Sequence, residues 1–143
     1  MTDSLAKILI VEDDKGSRQA MADYLASKGL SVMTAVDGQQ GVALLDSSVK
    51  IVITDLRMPK MDGMEVLAEV RRRQPQISVI LLTAHGDVET AVTAMKRGAV
   101  DFLTKPVNPD ELYLKIRKVH DAHVLERQNS ELRMQLEEKH GFA

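Results

Sequence analysis

Five short runs of apolar and β-branched residues recur along the chain: KILIV (7–11), SVMTAV (31–36), KIVIT (50–54), ISVILLT (77–83) and VDFLT (100–104). Between them, apolar residues fall at helical spacing: Ala20, Met21, Tyr24 and Leu25; Val42 and Leu45; Val66, Leu67 and Val70; Ala91, Val92 and Met95. Strands that are apolar almost throughout, rather than at every second position, need cover on both faces, as in a parallel sheet sandwiched by helices. The punctuation agrees. Gly29 and Gly98 stand where helix C-caps belong, Asp37 and Asp87 where N-caps belong, and Pro75 follows the basic helix end Arg71-Arg72-Arg73. Five βα units, and hence a doubly wound α/β fold, follow from this pattern. Such folds place their site at the carboxyl ends of the strands, beside the point where strand order reverses.

The fifth helix has a firm start and no stop. In NPDE, Asn108 is placed as N-cap, Pro109 at the first helical position and Glu111 at the capping-box position. No Pro or Gly interrupts residues 110–140, and Leu125, Asn129, Leu132 and Leu136 follow at spacings that predict a short coiled-coil extension. In heptad terms Leu125 and Leu132 take d positions and Asn129 and Leu136 a positions; a buried Asn at a favours two strands. The expected division is a domain over 5–120, a helical linker over 121–140 and a frayed or cut-off end at 141–143.

A chain of 143 residues with 44% hydrophobic content has length for one core and an appendage. With 19 basic against 21 acidic residues and a net charge of -2, nothing favours direct contact with nucleic acid or a membrane surface. There are no cysteines, and no run approaches a membrane span, so a cytoplasmic protein is expected.

The strand ends carry an unusual set of polar residues: Glu12, Asp13 and Asp14 after the first run, Asp55 after the third, Thr83 after the fourth and Lys105 after the fifth. With the first and third strands adjacent, at least three carboxylates crowd one crevice, where they would raise one another's pKa values. A hard divalent cation relieves that crowding, and Mg²⁺ characteristically takes one or two carboxylates, waters and a phosphate. Lys105 and Thr83 add a positive charge and a hydroxyl donor, both suited to an anion. The chemistry these groups fit is phosphoryl transfer, with Asp55 as an acyl-phosphate acceptor. Singly, each acid reads as an ordinary cap and Lys105 as a solvated charge; their joint occurrence at four strand ends reverses that.

Carrying ILIVEDD, ITDLRMPKMDG, LLTAHG and DFLTKP, the sequence resembles the receiver domain of two-component response regulators from residue 5 to about 120. The resemblance implies a flavodoxin-like sheet of order 2-1-3-4-5 and a regulatory phosphoacceptor rather than an enzyme. It implies that Asp55 is phosphorylated by a sensor histidine kinase. Asp13 and Asp55 would ligate Mg²⁺, with Glu12 acting through water and Arg57 through its backbone carbonyl; Asp14 would fall outside as the cap of the first helix. Lys105 would be the catalytic lysine, oriented by a cis bond to Pro106. Thr83 and Phe102 would form a switch pair, although Phe102 also reads as an ordinary core aromatic. Met58-Pro59 and Gly63 would turn the chain back into the third helix.

The segment AHGDVETAVTAMKRGAVDFLTKP is similar to that of sigma-54-dependent transcription activators of the nitrogen-regulation and dicarboxylate-transport types, in which a receiver precedes an AAA+ ATPase and a DNA-binding domain. The chain has no P-loop motif, so it reads as receiver plus linker. Downstream AAA+ and DNA-binding domains in a longer protein, and a homodimer seamed by the linker, are the partners expected. His85 marks this subgroup, while His120 and His123 read as a solvated helix face. The competing expectation is a metal-dependent small-molecule phosphatase or phosphotransferase using the same aspartate; it would need a substrate pocket and usually a cap insertion, and no long insertion separates the strands.

Overall fold

The structure, a computed structural model, describes residues 7–84 and 87–140, with side chains through Leu136. His85, the two residues before Lys7 in the expected domain, and the end at 141–143 lie outside the described residues. The elements alternate strictly: β1 (Lys7–Val11), α1 (Lys15–Ser27), β2 (Ser31–Ala35), α2 (Gly38–Ala43), β3 (Val49–Asp55), α3 (Gly63–Arg73), β4 (Ser78–Thr83), α4 (Val88–Lys96), β5 (Asp101–Thr104) and α5 (Pro109–His140). The strands form one parallel sheet in the order β2-β1-β3-β4-β5. The doubly wound fold and the implied strand order are both met.

The near-continuous apolar strands are explained by two cores, one on each face. Leu9, Val11, Val52, Val79 and Leu81 point to one side and pack with Val66, Leu67 and Val70 of α3 and Ala94 of α4. Their neighbours Ile8, Ile10, Ile51, Ile53, Ile80 and Leu82 point to the other and pack with Met21 and Leu25 of α1 and Leu112 and Ile116 of α5. Because strand side chains alternate between faces, apolar residues at every position are what two covered faces require.

Most of the expected helix ends appear. Asp14 Oδ2 accepts from Ser17 N at 2.8 Å, Asp37 Oδ1 from Gln40 N at 2.8 Å, and Asn108 Oδ1 from the backbone N–H groups of Asp110 and Glu111 at 2.9 and 3.1 Å. Gly29 and Gly98 follow α1 and α4 with φ of 87° and 112°, the left-handed geometry that favours glycine after a helix. A full capping box between Asp62 and Glu65 starts α3.

Three expectations change. Asp87 occupies the N-cap position of α4, but its side chain makes no cap hydrogen bond, because Arg57 holds the carboxylate instead. In α4, Ala91 and Ala94 face the core, whereas Val92 and Met95 are exposed along with Val88. His123 is half-buried rather than on a solvated face: α5 runs past the lower edge of the sheet, and there its Nε2 lies 2.7 Å from Ser78 Oγ at the start of β4. Beyond that contact α5 stands clear, with Leu125, Asn129, Leu132 and Leu136 all exposed.

Candidate functional site

Strand ends β1, β3 and β5 bring together the residues picked out by the sequence. β3 continues one residue further than the pattern predicts, so Asp55 is its last residue, paired with Leu82 of β4 and almost fully buried. Glu12, directly after β1, is completely buried, while the next residue, Asp13, is exposed. Oxygens of Glu12, Asp13 and Asp55 all lie within 4.8 Å of one another. Asp14 turns away to cap α1, as the sequence suggests.

Lys105 reaches into this cluster from the turn after β5. Its Nζ donates to Asp55 Oδ2 at 2.7 Å and to Glu12 Oε1 at 2.9 Å. Its backbone N–H donates to Thr83 O at 2.7 Å, and its bond to Pro106 is cis. Burial opposes the lysine's charge, but the bonds to Asp55 and Glu12 outweigh it and hold its pKa above the ordinary lysine range. Burial likewise pushes the Glu12 carboxyl up, and the bonds from Lys105 and from Asp14 N–H offset only part of that shift. Three carboxylates against one ammonium leave the cluster short of positive charge. Oxygen donors with that imbalance fit a hard divalent cation.

The loop after β3 closes tightly beneath the site. Gly63 N donates to Leu56 O at 2.8 Å, and a Cβ on Gly63 would fall 2.5 Å from Asp55 O and 2.8 Å from Leu56 Cα. Only glycine allows α3 to start this close to the acidic strand end. Lys60, at the loop tip, takes a positive φ of 71° that sequence reading did not foresee.

Thr83 is buried at the end of β4, and its Oγ1 donates over a long 3.4 Å to Leu103 O. Phe102 is half-buried and packs against the core on the α3 side. The Arg57 side chain is tied to Asp87 by two hydrogen bonds, of 3.0 and 2.8 Å. That pairing holds the Asp87 carboxyl below its usual range. The link was absent from the sequence reading, since a 30-residue separation leaves no local signal. The Asp62–Glu65 box was not anticipated either, although its signal, an acid three residues before a glutamate at a helix start, is local. A cavity of about 250 Å³ flanks Lys105 between α1 and the β5–α5 turn, lined in part by Met21, Val107 and Pro109. Another, of about 710 Å³, lies at the opposite end of the sheet, beside Ser78 and His123.

A parallel sheet of this order with an acid cluster and a lysine at its carboxyl end is the arrangement of a receiver-type α/β domain. The model of the response regulator receiver domain matches residues 8–117, and the chain belongs to that family. It is 46% identical over 114 residues to the transcriptional regulatory protein GlrR of Escherichia coli (strain K12), covering 79% of this chain and 26% of that one. It is 39% identical over 139 residues to the C4-dicarboxylate transport transcriptional regulatory protein DctD of Pseudomonas aeruginosa, covering 96% and 30%. The chain thus spans roughly a quarter to three tenths of these relatives. Among solved structures, a response regulator receiver domain protein from Clostridium thermocellum superposes with a TM-score of 0.81 at 37% identity, over 85% of this chain and 98% of that one. NtrX from Brucella abortus gives 0.83 at 33%, over 89% and 30%. No helix among the described residues is long and apolar enough to cross a membrane.

Proposed function

We propose that Asp55 accepts a phosphoryl group from a sensor histidine kinase and that the domain passes this signal to the rest of a sigma-54-dependent activator in the cytoplasm. The carrying observation is Lys105 bridging Asp55 and Glu12 inside a cluster of three carboxylates at the strand ends. An Asp55 carboxylate oxygen attacks phosphorus, the phosphorus–nitrogen bond to the donor imidazole breaks, and its electron pair leaves with that imidazole. Lys105 neutralises the transferred oxygens from one side, and Thr83 offers its hydroxyl once that group has left Leu103 O. Asp13, Asp55 and the Arg57 carbonyl would hold Mg²⁺, with Glu12 acting through water, and the bound ion would supply further charge neutralisation. Thr83 and Phe102 then act as the switch.

The domain catalyses only its own phosphorylation and dephosphorylation. The receiver, residues 5–120, continues into the linker 121–140, whose Leu125, Asn129, Leu132 and Leu136 form the seam of a homodimer. About two heptads are marginal alone, so the receivers help through the exposed Val88, Val92, Met95 and Leu114. AAA+ and DNA-binding domains follow in the full-length activator. The test is intact-mass analysis after incubation with acetyl phosphate and Mg²⁺. One phosphoryl mass is expected on the parent and none on Asp55→Asn; full labelling of the variant overturns the assignment.

A further inference from the structure

Four helices of the domain begin in the same way and the fifth does not. Asp14, Asp37 and Asp62 have extended ψ angles of 116°, 173° and 175°, and each side chain accepts from the backbone N–H three residues on. Asn108 caps α5 similarly. Asp87 has an N-cap's sequence and position, yet its φ of -94° and ψ of 31° lie outside the extended region, and its carboxylate caps nothing. Both of its oxygens go to Arg57, two residues beyond Asp55 on the β3–α3 loop. The N–H of Thr90, third in α4, is the group that an extended Asp87 would cap.

We propose that the Arg57–Asp87 pair is a latch that keeps α4 uncapped, and that a phosphoryl group on Asp55 releases Asp87 to cap the helix through Thr90 N–H. This rests on the reading of Asp55 as phosphoacceptor. A phosphoryl group adds negative charge on the strand end from which the Arg57 loop departs, and it competes with the Asp87 carboxylate for the guanidinium. Release costs the ion pair and gains a cap, so the two arrangements lie close in free energy and a local charge can select between them. The required move is a rotation of ψ at Asp87 from 31° to the extended values of the other three aspartate caps. Such a rotation reorients the first turn of α4, which carries the exposed Val88. The loop at the acid cluster is thereby coupled to a helix outside it.

Amide exchange at Thr90, followed by NMR, tests the latch before any phosphorylation. Arg57→Ala frees Asp87, and Asp87→Asn keeps a capping side chain without the ion pair; both should slow Thr90 exchange by about threefold to tenfold, the usual worth of a cap. Asp87→Ala, alone or combined with Arg57→Ala, should give no slowing, which separates capping from mere loss of the ion pair. Beryllofluoride with Mg²⁺ should slow Thr90 in the unmutated domain as Arg57→Ala does. Unchanged or faster exchange in Arg57→Ala overturns the latch. Beryllofluoride that perturbs the Asp55 amide but leaves Thr90 unchanged overturns the coupling alone. Beryllofluoride that perturbs neither overturns the phosphoacceptor reading and the coupling with it, while the variants still decide the latch.

Discussion

The Lys105 ammonium lies 2.7 Å from the Asp55 carboxylate, tying the last residue of β3 to the turn after β5. The same ammonium is 2.9 Å from the fully buried Glu12, so one side chain holds two acids that would otherwise repel.

Removing that ammonium separates its structural and chemical parts. Lys105→Ala should lower stability by about 1–3 kcal/mol without metal, since it strips a buried acid of its partner. Mg²⁺ affinity, read by titration calorimetry, should stay intact or rise, and added Mg²⁺ should restore much of the stability. Phosphorylation by acetyl phosphate should slow by on the order of a hundredfold. Collapse of Mg²⁺ binding would make Lys105 a structural residue instead.

Gly63→Ala tests the close approach beneath the site. Its Cβ would meet the Asp55 carbonyl at 2.5 Å, and backbone cannot swing aside as a side chain can. Urea unfolding should show a loss of about 1–3 kcal/mol, and labelling of Asp55 should slow because its strand end shifts.

The lower edge of the sheet carries a pH dependence. Burial lowers the His123 pKa beneath its ordinary 6.5; Glu126 raises it, and His120 and Lys50 lower it further. The unfolded chain therefore binds a proton at higher pH than the folded one. Stability that is complete above about pH 6.5 should fall as pH drops through that value and level off below the depressed folded pKa. In thermal melts, His123→Asn should lose this component between those limits while keeping a polar partner for Ser78.

The linker seam predicts opposite effects from two substitutions. Asn129→Leu should strengthen association while relaxing the preference for two strands, and Leu132→Asp should give monomers that still accept phosphate. Sedimentation with and without beryllofluoride reads both. If Leu132→Asp is as dimeric as the parent in both states, the seam is not the contact.

What the sequence could show depended on how local each cause was. Apolar runs such as Ile51, Val52 and Ile53 announced a strand covered on both faces, and Gly29, Asp37 and Asn108 marked helix ends, because periodicity and capping act within a few residues. Glu12, Asp13, Asp55 and Lys105 could be grouped only because α/β topology gathers strand ends. Asp87 misled because its local signal as a cap lost to Arg57, 30 residues away. His123 misled because α5 carries it beneath β4, a contact set by tertiary packing. The exposed Val92 and Met95 show the same limit: helical spacing finds an apolar stripe but cannot say whether the domain itself covers it.

The carboxylate that becomes the acyl phosphate can be identified chemically. After incubation with acetyl phosphate and Mg²⁺, borohydride reduces an aspartyl phosphate to homoserine, and tandem mass spectrometry of the peptides locates it. Homoserine at position 55 and nowhere else is the predicted result. Reduction at Asp13 or Asp14 with Asp55 intact would overturn Asp55 as the acceptor.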